Sequence, residues 1–347
     1  MEFSLDDDQQ LIVETVRKFA DRDLRAWTAD ADRAGAPPDR LAHVAGDLGF
    51  FTDAVPADAG GLLEGSYSHT TRALRGFELG RGCAGIAALL ESNVEPALAV
   101  AQWGSPAAKQ ALFGSLAKDG AAVLYHDSRG QLAIDGDRVT GKLVAPVLAA
   151  ASHVLIASGR TLVLVPTEGA RREAFTPSGW RAARWASATF EKTKGFVLEG
   201  GSVEAVLAWA RTSLAARGVG VAIAAMEHAA QYGKERVQFG QPIGAFESLI
   251  RLRDDALTTA AAARLLVLHA AWLIDRGDPA AADTASRARV IAGDCVARAT
   301  IDAVQIFGGY GFVNDYPVEK LMRDARAFEA LHGDERLGRV LAHKAVQ

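Results

Sequence analysis

A mostly helical chain with a small β insert is the fold class that this sequence predicts. Long Ala-, Leu- and Arg-rich stretches fill its second half, at 203–234, 245–276 and 279–307. These residue types have high helix propensity. Between Gly120 and Gly200 short apolar runs are instead separated by Gly, Asp and Ser, which is the punctuation of strands. The length of 347 residues also exceeds the roughly 250–300 that one hydrophobic core supports. The expected organisation is a helical region at 1–120, an abbreviated β region at 121–200 and a helical bundle at 201–347.

Taken in order, Asp6 to Asp8 place acids where a helix N-terminus favours negative charge. Ile12, Val16, Phe19 and Ala20 then recur at helical spacing. Gly35, Pro37 and Pro38 interrupt before a helical run at 41–48. Val55 to Gly61 reads as a loop by its proline and paired glycines. Small-residue helices follow from Ser68 to about Val100, and Ser105-Pro106 predicts a capped helix start. Short strands are expected at 121–125, 132–134, 138–143, 153–157, 161–165 and 196–198. After the three long helical stretches, Gly308-Gly309-Tyr310-Gly311 breaks the pattern, and a last helical region is expected from Val318 to the end.

Composition excludes several functions. Apolar residues make up 49% and charged residues 23%, so the chain is globular rather than disordered. A formal charge of -4 gives no basic footprint for nucleic acid. The apolar stretch Ala260 to Ile274 contains Arg264 and His269, which argues against a membrane span. The acidic N-terminus is unlike a signal peptide, and Cys83 and Cys295 alone make no disulfide framework. A cytoplasmic protein is expected. The eight histidines show no metal-binding spacing, so no metal is expected. Cys295 reads as a packed apolar group, and Glu227-His228 as no ligand pair.

Three segments carry chemistry. Glu235-Arg-Val-Gln-Phe-Gly-Gln-Pro-Ile243, Asp302 to Phe312 and Asn314 to Arg326 occur in this order. A dinucleotide pyrophosphate needs cations and close backbone approach. Arg236 supplies a fixed charge and a donor fork, and Gly308 and Gly309 allow close approach at a helix end. Set in an α-β-α frame, the segments resemble the acyl-CoA dehydrogenase family. The N-terminal helix, Val55 to Gly61 and Gly104 to Gln110 fit as well. The resemblance covers both helical regions, about two-thirds of the chain, and is weakest in the β region. It implies the family's fold of N-terminal helical domain, middle β domain and C-terminal four-helix bundle. It also implies that Arg236, Gln238, Phe239, Gln305, Gly308 and Gly309 contact the FAD of a partner chain. The alternative is that the glycines only form a turn and Arg236 pairs with an acid.

Departures from the family pattern are equally informative. The family reaction removes an α-proton from an acyl-CoA with a carboxylate, and the β-hydride goes to flavin N5. The usual Glu precedes the Gly of an Ile-Tyr-Glu-Gly-Thr-like segment, where this chain has His332. A second family location precedes an Arg on the first C-terminal helix, where the pair is Ala210-Arg211. No catalytic residue is therefore expected in this chain. His332 is a weaker base than a desolvated Glu, and Glu329 and Glu335 read as surface carboxylates. Asp334 replaces the Thr that helps hold the chain's own flavin nucleotide. Leu124 to Asp127 and Gly141 to Pro146 replace runs whose Trp and Thr pack on the flavin ring. Arg211 stands near the family's acyl-CoA site or is a solvated or interface residue. Trp180 and Trp185 are partner contacts or core.

The expectation is a subunit that completes a partner's FAD site in an α2β2 acyl-CoA dehydrogenase, the partner supplying the catalytic Glu. Divergent pairs of this kind resemble the bacterial enzymes acting on steroid-CoA side chains, and an electron-transferring flavoprotein is the family's usual acceptor. A self-sufficient homotetramer with an unusual base, a non-redox acyl-CoA-binding scaffold, and an oxidase or monooxygenase of the same fold remain open.

Overall fold

The computed structural model describes residues 4–118 and 120–332. Seven helices come first: α1 (Asp7–Phe19), α2 (Arg25–Ala34), α3 (Leu41–Asp47), α4 (His69–Gly82), α5 (Ala84–Leu90), α6 (Val94–Trp103) and α7 (Pro106–Leu116). The Asp6 side chain accepts from the Gln9 N–H and Gln9 returns a bond to the Asp6 N–H, so the acidic start of α1 is a reciprocal cap. Ser105 accepts from the Ala108 N–H with Pro106 at the first turn, as the sequence predicts.

Eight strands follow: β1 (Ala121–His126), β2 (Ala133–Asp135), β3 (Arg138–Ala145), β4 (Ala151–Ser158), β5 (Thr161–Pro166), β6 (Arg171–Ala174), β7 (Ala186–Lys194) and β8 (Phe196–Val197). They form two four-stranded sheets, ordered β1-β4-β5-β8 and β2-β3-β7-β6. Only β1 and β4 run parallel; all the other pairs are antiparallel. Val139, Leu143, Val154, Ile156, Val163 and Phe190 fill the layer between the sheets. Strands β6 and β7 were not expected. All four residues of β6 are exposed, and Phe190 is the only large apolar side chain in β7, so neither shows apolar alternation.

The C-terminal region holds α8 (Val203–Glu235), the ribbon β9 (Val237–Gln238) and β10 (Gln241–Pro242), α9 (Glu247–Asp275), α10 (Ala281–Phe307) and α11 (Val318–Glu329). Helix α11 ends at Glu329, and the part of the expected helical region at 333–347 lies outside the described residues. Small residues set the helix spacing. A Cβ on Gly80 would lie 2.2 Å from the Arg217 carbonyl oxygen, and one on Gly220 would lie 2.1 Å from that of Phe77. Helix α4 therefore lies directly along α8, and the first and last helical regions share a core.

The sequence reading underestimated apolar length. Residues 84–103 and Glu247–Asp275 are each long and apolar enough to cross a bilayer by length and composition. The first stretch is almost entirely buried inside the protein. The second is one-third buried, because α9 presents Leu257 and Leu265 outward from the bundle.

Candidate functional site

The six residues expected to meet a dinucleotide gather on one exposed face, at the C-terminal ends of α8 and α10. Arg236 caps α8 and its backbone N–H donates to the Tyr232 carbonyl at 2.9 Å. Its guanidinium lies 5.7 Å from the Tyr310 ring centre. It makes no ion pair with any described residue, so it does not serve to neutralise an acid. Gln238 is exposed on β9. Phe239 is 92% exposed and has a left-handed backbone at φ 52°, a conformation costly for a bulky residue. Gln305, Gly308 and Gly309 are exposed at the end of α10. An aromatic base of Tyr232 stacked on Phe307 at 4.1 Å, with Tyr310 and Tyr316 around it, ties the two helix ends together.

The two glycines differ in cause. Gly308 has φ 60° and ψ -134°, a region that is essentially glycine-only. Gly309 has no positive φ, and a Cβ added there would meet nothing within 4 Å. The fold therefore does not require glycine at 309, whereas a molecule pressed against this face would. An exposed guanidinium, an exposed amide, a projecting aromatic ring and bare backbone are groups that could meet the phosphates and adenosine of a dinucleotide.

The positions implied for the chain's own reaction centre converge as well. His332, Leu124 to His126 and Val144 to Pro146 all line one partly open cleft, with Trp180 and Arg217 behind. Its volume is about 70 Å³. His332 is half-buried, and desolvation first, then the nearby His126 and the charges of Arg217, Arg289 and Arg211, hold its pKa well below the usual imidazole value. A lowered pKa makes the imidazole a weaker acceptor for an α-proton. His126 is pushed down to about 4, chiefly by burial and then by Arg211. Ala210 is buried in the core and offers no functional group. Val144 and Pro146 stand at the expected Trp and Thr positions, so the aromatic and hydroxyl contacts implied for a flavin ring are absent there. Gly333, Asp334 and Glu335 lie outside the described residues.

Arg211 is mostly buried within the chain. Its Nε donates to the His332 carbonyl at 3.2 Å and its Nη1 to Ser286 Oγ at 3.1 Å, so it pins the segment 330–332. It also lines an open groove of about 970 Å³ beside β1 and α8. Asp127, Glu199, Glu204 and Asp283 line that groove against Arg160 and Arg211, an acidic excess that disfavours a polyphosphate.

The sequence reading missed a buried ionic cluster on α4, α6 and α8, with Glu91 just after α5. Glu91 Oε1 accepts from Arg75 Nε at 2.8 Å. Glu91 Oε2 accepts from Ser213 Oγ at 2.8 Å and from Arg72 Nε at 3.4 Å. Glu95 accepts from Arg72 Nη1 at 2.8 Å, and Arg75 also reaches Asp53. Burial alone would raise the Glu91 pKa, but Arg72, Arg75 and Arg217 outweigh it and hold the carboxyl at about 2. The available signal was charge inside otherwise small-residue helices, where solvation is impossible if all faces are packed.

Other residues resolve simply. Trp180 and Trp185 are core: Trp180 meets Phe328 edge-on at 4.8 Å, and Trp185 Nε1 donates to the Trp180 carbonyl at 3.0 Å. Cys295 is buried, which pushes its thiol up to about 12. Glu227 accepts from Arg81 and pairs with Arg25, and Glu329 pairs with Arg326. Among the described residues no group of His, Cys, Asp and Glu is placed to hold a metal.

Comparison with known proteins accords with this geometry. The model of the acyl-CoA dehydrogenase N-terminal domain matches residues 6–119, and that of the acyl-CoA dehydrogenase C-terminal domain matches residues 200–346. Neither reaches the β region. An acyl-CoA dehydrogenase of Bacillus subtilis is 46% identical over 134 residues, which span 39% of this chain and 35% of that relative. A cyclohex-1-ene-1-carbonyl-CoA dehydrogenase of Syntrophus aciditrophicus is 27% identical across 99% of this chain and 90% of its own. The solved butyryl-CoA dehydrogenase of Megasphaera elsdenii matches with a TM-score of 0.87 at 25% identity, covering 100% of both chains.

Proposed function

Since the chain belongs to the acyl-CoA dehydrogenase family, with acyl-CoA dehydrogenation as its type of function and FAD as its cofactor, we propose that it works as the non-catalytic subunit of a heteromeric dehydrogenase. Its outward face, with Arg236, Gln238, Phe239, Gln305, Gly308 and Gly309, completes the FAD site of a partner acyl-CoA dehydrogenase chain. The partner supplies the catalytic Glu and the flavin-ring pocket in an α2β2 assembly. The observation that carries this reading is the contrast between two sites of one molecule. The six residues lie together on an outward face where Arg236 makes no ion pair with any described residue, while the two inner positions implied for the base hold His332 and Ala210.

Bound FAD supplies the acceptor for the β-hydride. This chain's residues do the holding: Arg236 offers charge-assisted donors to phosphate, Gly309 lets backbone approach, and Gln305 offers an amide. The substrate class we propose is an acyl-CoA of the steroid side-chain type, as in the divergent subunit pairs that this chain resembles. An electron-transferring flavoprotein is the proposed acceptor and the cytoplasm the proposed compartment.

The test is purification of the chain alone and together with a co-expressed partner dehydrogenase chain, followed by the visible flavin spectrum and subunit stoichiometry. Yellow colour that appears only in a 1:1 complex supports the proposal. A yellow homotetramer reduced by an acyl-CoA overturns it in favour of a self-sufficient enzyme. A complex that stays colourless overturns it in favour of a scaffold. Rapid reoxidation with peroxide release would replace the flavoprotein acceptor by oxygen.

A further inference from the structure

Of the six residues gathered on the outward face, only Arg236 carries a charge. An exposed arginine samples many rotamers, and ordering it on a ligand costs affinity. A neighbouring carboxylate would order it, but would also occupy the N–H donors that a phosphate needs. An aromatic ring orders it differently. The ring attracts the cation through its π-face and leaves the donor fork unspent. That arrangement is present here. The Arg236 guanidinium carbon lies 5.7 Å from the Tyr310 ring centre, within the roughly 6 Å reach of a cation–ring contact. Its side chain makes no ion pair or hydrogen bond with any described residue.

The turn after α10 brings Tyr310 to this place. Helix α10 ends at Gly308, whose φ of 60° and ψ of -134° form a region that is essentially glycine-only. The chain then winds through a short 3-10 turn, Gly308–Phe312. A Cβ on Gly311 would lie 2.6 Å from the Val304 carbonyl oxygen, so the turn is pressed back on α10. The Tyr310 ring meets Tyr232 edge-on at 6.5 Å and Tyr316 at 5.8 Å. Tyr232 itself stacks on Phe307. Tyr310 is thus braced by other rings, yet 48% of it remains exposed. Arg236 starts from the same base, because its backbone N–H donates to the Tyr232 carbonyl. Cation and ring are both anchored on Tyr232.

We infer that Tyr310 is a positioning residue for the cofactor: its ring orders the Arg236 guanidinium at the end of α8 and leaves the donors free for the phosphates of the partner's FAD. The inference rests on the heteromer reading for whose FAD is held, but the ring–cation contact lies wholly within this chain. The ring face makes the contact, so the phenol hydroxyl is dispensable.

Two measurements test it. The first is a double-mutant cycle in the assembled complex, with the FAD dissociation constant read by flavin fluorescence. Tyr310→Leu should weaken FAD binding about two- to fivefold, the size of one exposed cation–ring contact. Tyr310→Phe should bind as the parent does, and Tyr310→Leu should add nothing once Arg236 is replaced by Ala. A Tyr310→Leu loss that persists in Arg236→Ala overturns the inference, because the ring then acts on the cofactor or the fold and not through Arg236. An equal loss in Tyr310→Phe also overturns it. Weakening by Arg236→Ala alone, with Tyr310→Leu silent, overturns it and leaves the heteromer standing. If both are silent, the inference and the cofactor face fall together. FAD held by a homomer of this chain overturns the heteromer, and the same cycle in that homomer decides the inference.

The second measurement needs no cofactor. In the full chain carrying carbon-13-labelled arginine, the Arg236 δ-methylene resonance is identified by its loss in Arg236→Lys. The ring current of Tyr310 should hold it upfield. It should move downfield in Tyr310→Leu and stay in place in Tyr310→Phe. A resonance that Tyr310→Leu leaves unmoved overturns the inference, whatever the complex binds.

Discussion

Glu91→Gln removes the one charge on which the interior network converges. The carboxylate takes Arg75 at 2.8 Å, Ser213 at 2.8 Å and Arg72 at 3.4 Å, and it is 1% exposed. The amide keeps the shape and one acceptor but leaves Arg72, Arg75 and Arg217 facing Glu95 and Asp53 alone, a net charge of about +1 in a buried setting. Removing one partner of a buried ion pair costs about 3–5 kcal/mol. The unfolding entropy of 347 residues at about 2.1 cal/mol/K each is about 0.7 kcal/mol/K. The quotient is a fall in Tm of about 4–7 °C. Differential scanning calorimetry at neutral pH measures it. Since the cluster is remote from Arg236, FAD content of the complex should hold at temperatures below the transition. A Tm within 1 °C of the parent would refute the claim that the network carries the interior.

Other perturbations separate the two sites. Gly309→Val should leave the Tm of the chain unchanged, because its Cβ meets nothing within the chain, yet lower FAD content in the complex severalfold. Unchanged FAD content would remove Gly309 from the cofactor face. His332→Ala should leave turnover of the complex within about twofold, the size of an effect without transition-state contact; abolished turnover with FAD retained would place the base in this chain. Acid should destabilise the chain through its desolvated histidines. His126 is held down to about 4 and His69 to about 3, and His332 well below 6.5, in each case first by desolvation. A lowered folded pKa means that the neutral ring stabilises the fold fully above about 6.5. That stability is lost as pH falls toward 4, at up to about 1.4 kcal/mol per pH unit for each ring. Glu91, held at about 2, contributes its full share down to about pH 4.5 and so does not enter this window. Denaturant melts at pH 7 and pH 5 check the trend; equal midpoints would contradict it.

How much was legible follows from how local each feature is. The six residues implied by the family resemblance sit in two short segments, 236–239 and 305–309, so they could be named from the sequence, and the structure places them on one exposed face. Helices α8, α9 and α10 announced themselves by long runs of strong helix formers. Strand β6 is polar on both faces and β7 is mostly Ala, Ser and Thr, so neither showed a period to read. The ionic cluster was hidden for another reason. Arg72, Glu91 and Ser213 meet only because α4 lies against α8 at Gly80 and Gly220, and that contact is tertiary. The same packing explains Arg211, whose two hydrogen bonds reach Ser286 and His332, 75 and 121 residues away. The residues at the family's two base positions, His332 and Ala210, could be read by position, but the ionic cluster behind them could not.

The account rests on a face that serves a neighbour's cofactor, and Arg236→Ala in the assembled complex addresses it most directly. Size-exclusion chromatography with absorbance at 280 and about 450 nm, the flavin band used to follow charge-assisted cofactor retention, reads assembly and flavin together. The account predicts an intact complex that sheds FAD on dilution, with Arg236→Lys recovering part of it. A complex that keeps its full flavin after Arg236→Ala would contradict it.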